Sequence, residues 1–139
     1  MGWIGVDLDG TLAQYDKFRG AHHIGAPIPR MVKRVKKWLA DGKDVRIFTA
    51  RVGADTPYER KRARLFINEW CREHIGQVLP VTNRKDLEME ELYDDRCFQV
   101  EKNTGRIVGE EEEPAPESDF DGISLTEHEA ERIIGVERW

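Results

Sequence analysis

The stretch WIGVDLDGTL at residues 3–12 constrains the fold more than any other part of the chain. The apolar run Trp3–Leu8 contains Ile4 and Val6 and breaks at Asp9-Gly10, a turn signal, so it reads as a short first strand. A loop with Gly20, Gly25, Pro27 and Pro29 follows. Met31, Val32, Val35, Trp38 and Leu39 then recur at helical spacing, which predicts a helix from about Arg30 to Ala40, stopped by Gly42. Val45–Phe48 reads as a second buried strand. Thr56-Pro57-Tyr58-Glu59 joins a capping-box pair to proline at the first helical position and opens a second helix. The buried stripe of that helix is Ala63, Phe66, Ile67, Trp70 and Cys71, and Gly76 ends it. Val78–Val81 predicts a third strand, Asp86–Glu91 a helical turn, and a fourth short strand ends near Tyr93. This order predicts an α/β fold: a compact Rossmann-like parallel sheet flanked by helices, with right-handed crossovers.

The rest of the chain reads differently. Phe98–Glu101 and Arg106–Val108 flank Asn103-Thr104-Gly105 and predict a hairpin. Residues 110–122 are acidic, carry Pro114 and Pro116, and predict a linker or mobile loop. Thr126 and Glu129 form another capping box, opening a C-terminal helix with Ile133 and Ile134. The expected division is a core at 1–109, the acidic linker at 110–122 and the terminal helix at 123–139. A chain of 139 residues suits one domain.

Charge and hydropathy remove several function classes. Lys and Arg number 22 against 27 Asp and Glu, a net charge of -5, which argues against a uniformly basic nucleic-acid binder. No run approaches the roughly 18 apolar residues of a membrane helix. The N-terminus has neither a basic start nor an apolar signal core, so the expected location is cytoplasmic, away from membranes. Cys71 and Cys97 form neither a zinc pattern nor a disulfide framework, and Cys71 reads as core packing.

The chemistry begins at Asp7 and Asp9. Two residues apart at a strand end, their side chains leave on the same side, and open parallel sheets bind ligands beyond the carboxyl ends of their strands. Two carboxylates there attract a cation, and an oxygen-rich site that keeps waters suits Mg²⁺. A lone Asp-x-Asp more often caps a turn, but each later strand end adds matching chemistry. Thr49 follows Val45–Phe48, where its hydroxyl and the next backbone N–H, that of Ala50, suit a phosphate oxygen. Lys85 follows the third strand, and Asp94 and Asp95 follow the fourth. Singly, each is an ordinary strand-end residue; in order at four strand ends, they point to phosphate chemistry.

These residues resemble the motifs of the haloacid dehalogenase (HAD) superfamily of phosphotransferases. DLDGTL is similar to its first motif, Thr49 in IFTAR to its second, Lys85 in TNRKD to its third, and Asp94-Asp95 in YDDR to its fourth. The resemblance spans about residues 3–100. It implies a Mg²⁺-dependent phosphatase with Asp7 as the nucleophile that becomes an aspartyl-phosphate and Asp9 as general acid and then base. Thr49 and Lys85 would bind the phosphoryl group. The metal would be held by the Asp7 carboxylate, the Asp9 backbone carbonyl and a fourth-motif aspartate, Asp95 in preference to Asp94. The aspartate at position 9 favours phosphate-ester hydrolysis over carbon–halogen cleavage.

Only about 36 residues separate Leu12 from Thr49, with a similar gap from Thr49 to Lys85, so neither gap holds a full cap domain. The expected site is open, apart from a small flap in Ala13–Ile28. FTAR and YDDRCFQV are also similar to the phosphatase domain of polynucleotide kinase-phosphatases, and the DDR element to deoxyribonucleotidases. That likeness implies a nucleotide, a nucleic-acid end or another phosphorylated small molecule as substrate, met by Gly10, Thr11, Ala50, Arg51 and Arg96. For Arg51 and Arg96, ordinary ion pairing with Asp94 or Asp95 is an equal reading. Arg60, Lys61, Arg62 and Arg64 read as a solvated helix face before a polyanion track. The non-enzymatic alternative is a HAD-like binding or regulatory protein that keeps the site without turnover. The lack of a GxxxxGK[ST] loop argues against a self-contained kinase.

Overall fold

The computed structural model describes residues 2–111 and 125–134. The expected linker lies outside them from residue 112 onward. Two compact units are present, Met1–Cys97 and Phe98–Trp139.

The first unit is α/β. Strand β1 is Trp3–Asp7, helix α1 is Pro29–Ala40 and β2 is Asp44–Phe48. A 3-10 turn follows at Ala50–Gly53, then α2 at Pro57–His74, β3 at Val81–Thr82 and β4 at Met89–Tyr93. The strands form a parallel four-stranded sheet in the order β3-β2-β1-β4. Strand β1 is central, and its residues Trp3, Ile4 and Val6 are buried. Both helices add to the same core: α1 through Met31, Val32 and Val35, α2 through Ala63, Ile67, Trp70 and Cys71.

Local chemistry sets the element ends. The Thr56 hydroxyl accepts from the Glu59 N–H at 3.1 Å, satisfying one free donor of the first turn, and Pro57 needs no partner there. Helix α1 also begins at a proline, without a side-chain cap. It stops where Gly42 takes φ 78, a left-handed conformation that side chains disfavour.

The third strand is the largest departure from the sequence pattern. The apolar run Val78–Val81 predicts four paired residues, but only Val81–Thr82 pair, because Pro80 has no N–H to give the ladder. Its carbonyl still accepts from the Ile47 N–H at 2.8 Å. The expected helical turn at Asp86–Glu91 is cut short at Met89, where β4 starts pairing with β1.

In the second unit, Val100 and Ile107 form an antiparallel bridge around the expected hairpin. Helix α3, Glu127–Ile134, is capped reciprocally by Thr126 and Glu129. No helix among the described residues is long and apolar enough to cross a membrane.

Candidate functional site

The register brings four strand ends to one edge of the sheet. Asp7 lies beside Phe48, Val6 beside Tyr93 and Phe48 beside Thr82. The residues that follow these ends therefore emerge together. The chain runs outward from β1 through β2 to β3 and then returns to the other side of β1. The crevice between β1 and β4 is thus a topological switch point, where α/β sheets bind ligands.

An open cavity of about 800 Å³ occupies this edge. It is lined by Asp7, Asp9, Thr49, Ala50, Arg51, Asp94 and Arg96 from the expected set. Thr49 is buried, and its hydroxyl accepts from the Arg51 N–H at 3.2 Å, capping the 3-10 turn. Arg96 is exposed, with its backbone N–H on Asp94 Oδ1 at 2.9 Å.

Gly10 and Thr11 serve the carboxylates rather than the cavity wall. The Thr11 hydroxyl accepts from the Asp95 N–H at 2.9 Å. It lies 3.0 Å from Asp95 Oδ1 and 3.4 Å from Asp7 Oδ2, so its one proton is within reach of either acid, with Asp95 the nearer. Gly10 has φ 91, and a Cβ there would meet Asp95 Oδ2 at 2.5 Å. Position 10 thus excludes a side chain on two counts, backbone conformation and the Asp95 carboxylate.

Asp7, Asp94 and Asp95 place one oxygen each within 4.8 Å of one another. Burial, the hydrogen bond with Asp95 and the charges of Asp94, Asp95 and Asp9 push the Asp7 carboxyl up to about 8. This donor set fits a divalent cation. Its ligands are hard oxygens, its charges repel without a cation, and Asp95 is exposed enough to leave room for retained waters.

The Asp9 carboxylate does not join that cluster. Arg51 holds it with a two-pronged ion pair, Nε to Oδ2 at 2.7 Å and Nη2 to Oδ1 at 2.8 Å. Their side chains are 6% and 18% exposed. The expected partner of Arg51 was a substrate phosphate or Asp94 or Asp95; the structure gives it Asp9, because Asp9 leaves the strand tip toward the 3-10 turn that carries Arg51. The Asp9 side chain thus stands apart from the three carboxylates that group as a candidate cation site.

Lys85 is exposed and lies off the cavity lining. The chain leaves the sheet after Thr82, and the residue it presents to the cavity is Asn83, two positions earlier. Sequence reasoning missed Asn83, as well as Tyr15 and Phe18 of the flap, which also line the cavity. Two aromatic residues in a loop too short to build a core of its own were a usable signal. The basic run on α2 is partly structural: Arg60 donates to the Ala54 carbonyl at 2.7 Å and Arg64 to the Val81 carbonyl at 2.6 Å.

No protein-family model matches the chain, and no curated protein does. Among solved structures, it is similar to a conserved protein coded by a locus of Bacteroides thetaiotaomicron, with 22% identity over 69% of this chain and 77% of that one, and a TM-score of 0.48. That likeness is too slight to bear on activity.

Proposed function

We propose that the protein is a Mg²⁺-dependent phosphomonoester hydrolase that works through an aspartyl-phosphate on Asp7. The observation that carries this reading is the grouping of Asp7, Asp94 and Asp95 at the carboxyl edge of a parallel sheet, where Asp7 and Asp94 line an open cavity. It agrees with the HAD-like motifs that suggested the same residues. The substrate class is a nucleotide, a polynucleotide end or another phosphorylated small molecule. The cavity is wide, and its aromatic residues Tyr15, Phe18 and Phe48 suit a flat group next to phosphate. The protein acts in the cytoplasm, where its two free thiols stay reduced.

In the first step an Asp7 oxygen bonds phosphorus, and the ester P–O bond breaks. The leaving oxygen departs with the electron pair and takes a proton from the Asp9 carboxyl. In the second step a water oxygen bonds phosphorus and gives a proton to the Asp9 carboxylate. The bond from phosphorus to Asp7 then breaks, its electron pair returns to Asp7, and inorganic phosphate leaves. Bound Mg²⁺ supplies positive charge that offsets the crowded carboxylates and the phosphoryl oxygens. Thr49 and the Ala50 N–H orient the phosphoryl group, and Arg96 stands at the rim for a second substrate charge.

The test is phosphate release across nucleotides, sugar phosphates and 3′- or 5′-phosphorylated oligonucleotides, with and without Mg²⁺, for the wild type and Asp7→Asn. Turnover that needs both Mg²⁺ and Asp7 is the expected result. The competing reading, a binding or regulatory protein without turnover, draws on Lys85 standing off the cavity wall. Binding of a phosphorylated ligand with no release from any substrate would favour it.

A further inference from the structure

Arg51 spends its hydrogen-bonding capacity inside the protein. Nε and one Nη2 proton take the two Asp9 oxygens. The other Nη2 proton reaches the His23 carbonyl at 3.0 Å, and Nη1 lies 3.4 Å and 3.5 Å from the carbonyls of Gly20 and Ala21. The Phe18 ring covers the guanidinium at 5.2 Å from its carbon. A guanidinium has five N–H donors, and all five are directed at partners in the protein. To bind a substrate phosphate, Arg51 would have to leave a largely buried ion pair and release the flap.

From this geometry we infer that Arg51 is a positioning residue that locks the Asp9 carboxylate for the water-activating half-reaction and ties the 18–23 flap to it. The inference rests on the phosphatase reading. A carboxylate offers about four lone-pair sites, and the Arg51 fork uses two. The other two remain reachable from the cavity, which Asp9 lines. The fork also fixes the carboxylate plane, which a single hydrogen bond leaves free to rotate. In the step concerned, water bonds phosphorus, one water proton moves to an Asp9 oxygen, and the bond from phosphorus to Asp7 breaks. An Asp9 that rotates freely slows this step and leaves Asp7 phosphorylated.

The experiment is rapid-quench kinetics with 4-nitrophenyl phosphate and Mg²⁺, whose leaving group departs without help from an acid. Arg51→Ala is expected to release one nitrophenolate per active site in a burst, then turn over about 10²-fold more slowly than the wild type. Acid-quenched protein should gain the mass of one phosphoryl group. Arg51→Lys keeps the charge without the fork, serves if the alanine variant fails to fold, and should show a smaller burst. Asp9→Asn with Arg51→Ala should be within about 3-fold of Asp9→Asn alone, since Arg51 acts through Asp9. In the metal-free protein, amides 18–23 should exchange faster in either single variant.

A raised KM with kcat retained and no burst would make Arg51 a substrate contact and overturn the inference. So would a burst amplitude and steady rate that fall together, which reports lost protein alone. Flap exchange unchanged in both variants removes the tie. If the wild type itself shows no turnover, and Asp7→Asn matches it, the phosphatase reading fails and this inference falls with it. Wild-type turnover without a burst in the Arg51 variants sinks the inference and leaves that reading standing.

Discussion

Asp7 and Asp9 stand two residues apart on one strand tip, yet their surroundings are opposite. Asp7 faces Asp94 and Asp95, and its carboxyl is pushed up to about 8 by burial and by neighbouring acids. Asp9 faces Arg51, which meets both of its oxygens. One side of the tip therefore carries surplus negative charge, and the other is balanced by a cation of the chain's own. The contrast teaches that the pair is not a symmetric clamp. The Asp7 side is left for something the protein does not supply, whereas the charge on the Asp9 side is already balanced by Arg51. Crowding acids together costs stability, and a protein keeps such a cost where a ligand offsets it.

The most severe way to break the contrast is to remove the charge on each side in turn. Asp7→Asn is expected to lower phosphate release by about 10⁴-fold or more, measured with contaminating phosphatases excluded. The same change relieves repulsion, so the metal-free variant should melt above the wild type at pH 8. Asp9→Ala should do the reverse to stability. It leaves Arg51 buried without its carboxylate, at a cost toward the low end of roughly 3–5 kcal/mol, since the pair is partly open to the cavity. Urea denaturation of the two variants side by side checks both signs. Equal signs would mean that the two carboxylates share one environment.

The pH dependence sharpens the contrast without mutation. The unfolded chain gives up the Asp7 proton near 3.8, while the folded metal-free protein holds it until about 8. Between these values the folded state binds more protons, so stability falls as pH rises from about 4 to 8 and then levels off. Thermal melting in a chelator should show that fall, at roughly 4–8 °C for each kcal/mol in a unit of this size. Millimolar Mg²⁺ should flatten it, because a bound cation favours the ionised acids. A melting temperature that ignores both pH and Mg²⁺ would remove the case for a metal on the Asp7 side.

Much of this architecture is legible in the sequence, for a physical reason. Strand and helix periodicity is local, so β1, α1, β2 and α2 follow from spacing, caps and glycine stops. The convergence of Asp7, Thr49 and Asp94 follows from parallel order alone, because strands of one direction share a carboxyl edge. What escaped depends on contacts between distant segments. Whether Arg51 meets Asp9, Asp94 or Asp95 is decided by how the 3-10 turn and the flap carbonyls pack, which spacing does not encode. Thr11 is similar: its place beside Asp7 is local, but its bond to the Asp95 backbone spans 84 positions. The single proline at position 80 outweighed the apolar pattern around it, a reminder that one missing donor shortens a strand more than propensity lengthens it.

Thr11 offers a milder test of the Asp7 side. Thr11→Val keeps the shape and removes the hydroxyl that the Asp95 N–H donates to. The loss is expected to cost about 1–3 kcal/mol of stability, as a satisfied donor loses its partner. Metal affinity, followed by Mg²⁺-dependent melting, should weaken about 10–100-fold, the usual effect of disturbing groups that orient a ligand. Unchanged affinity would mean that Asp95 is held by the backbone alone.

Lys85 should give the smallest effect on stability and the most direct reading of where positive charge comes from. The side chain is exposed and stands off the cavity wall, so Lys85→Ala is expected to leave stability within about 0.5 kcal/mol. Turnover measured on the same protein then separates chemistry from folding. A long, free lysine reaches in toward phosphate only when substrate brings the charge to attract it, which predicts a raised KM at unchanged melting temperature. If melting drops as well, Lys85 already has a partner in the free protein, and the Asp7 side holds a cation of its own after all.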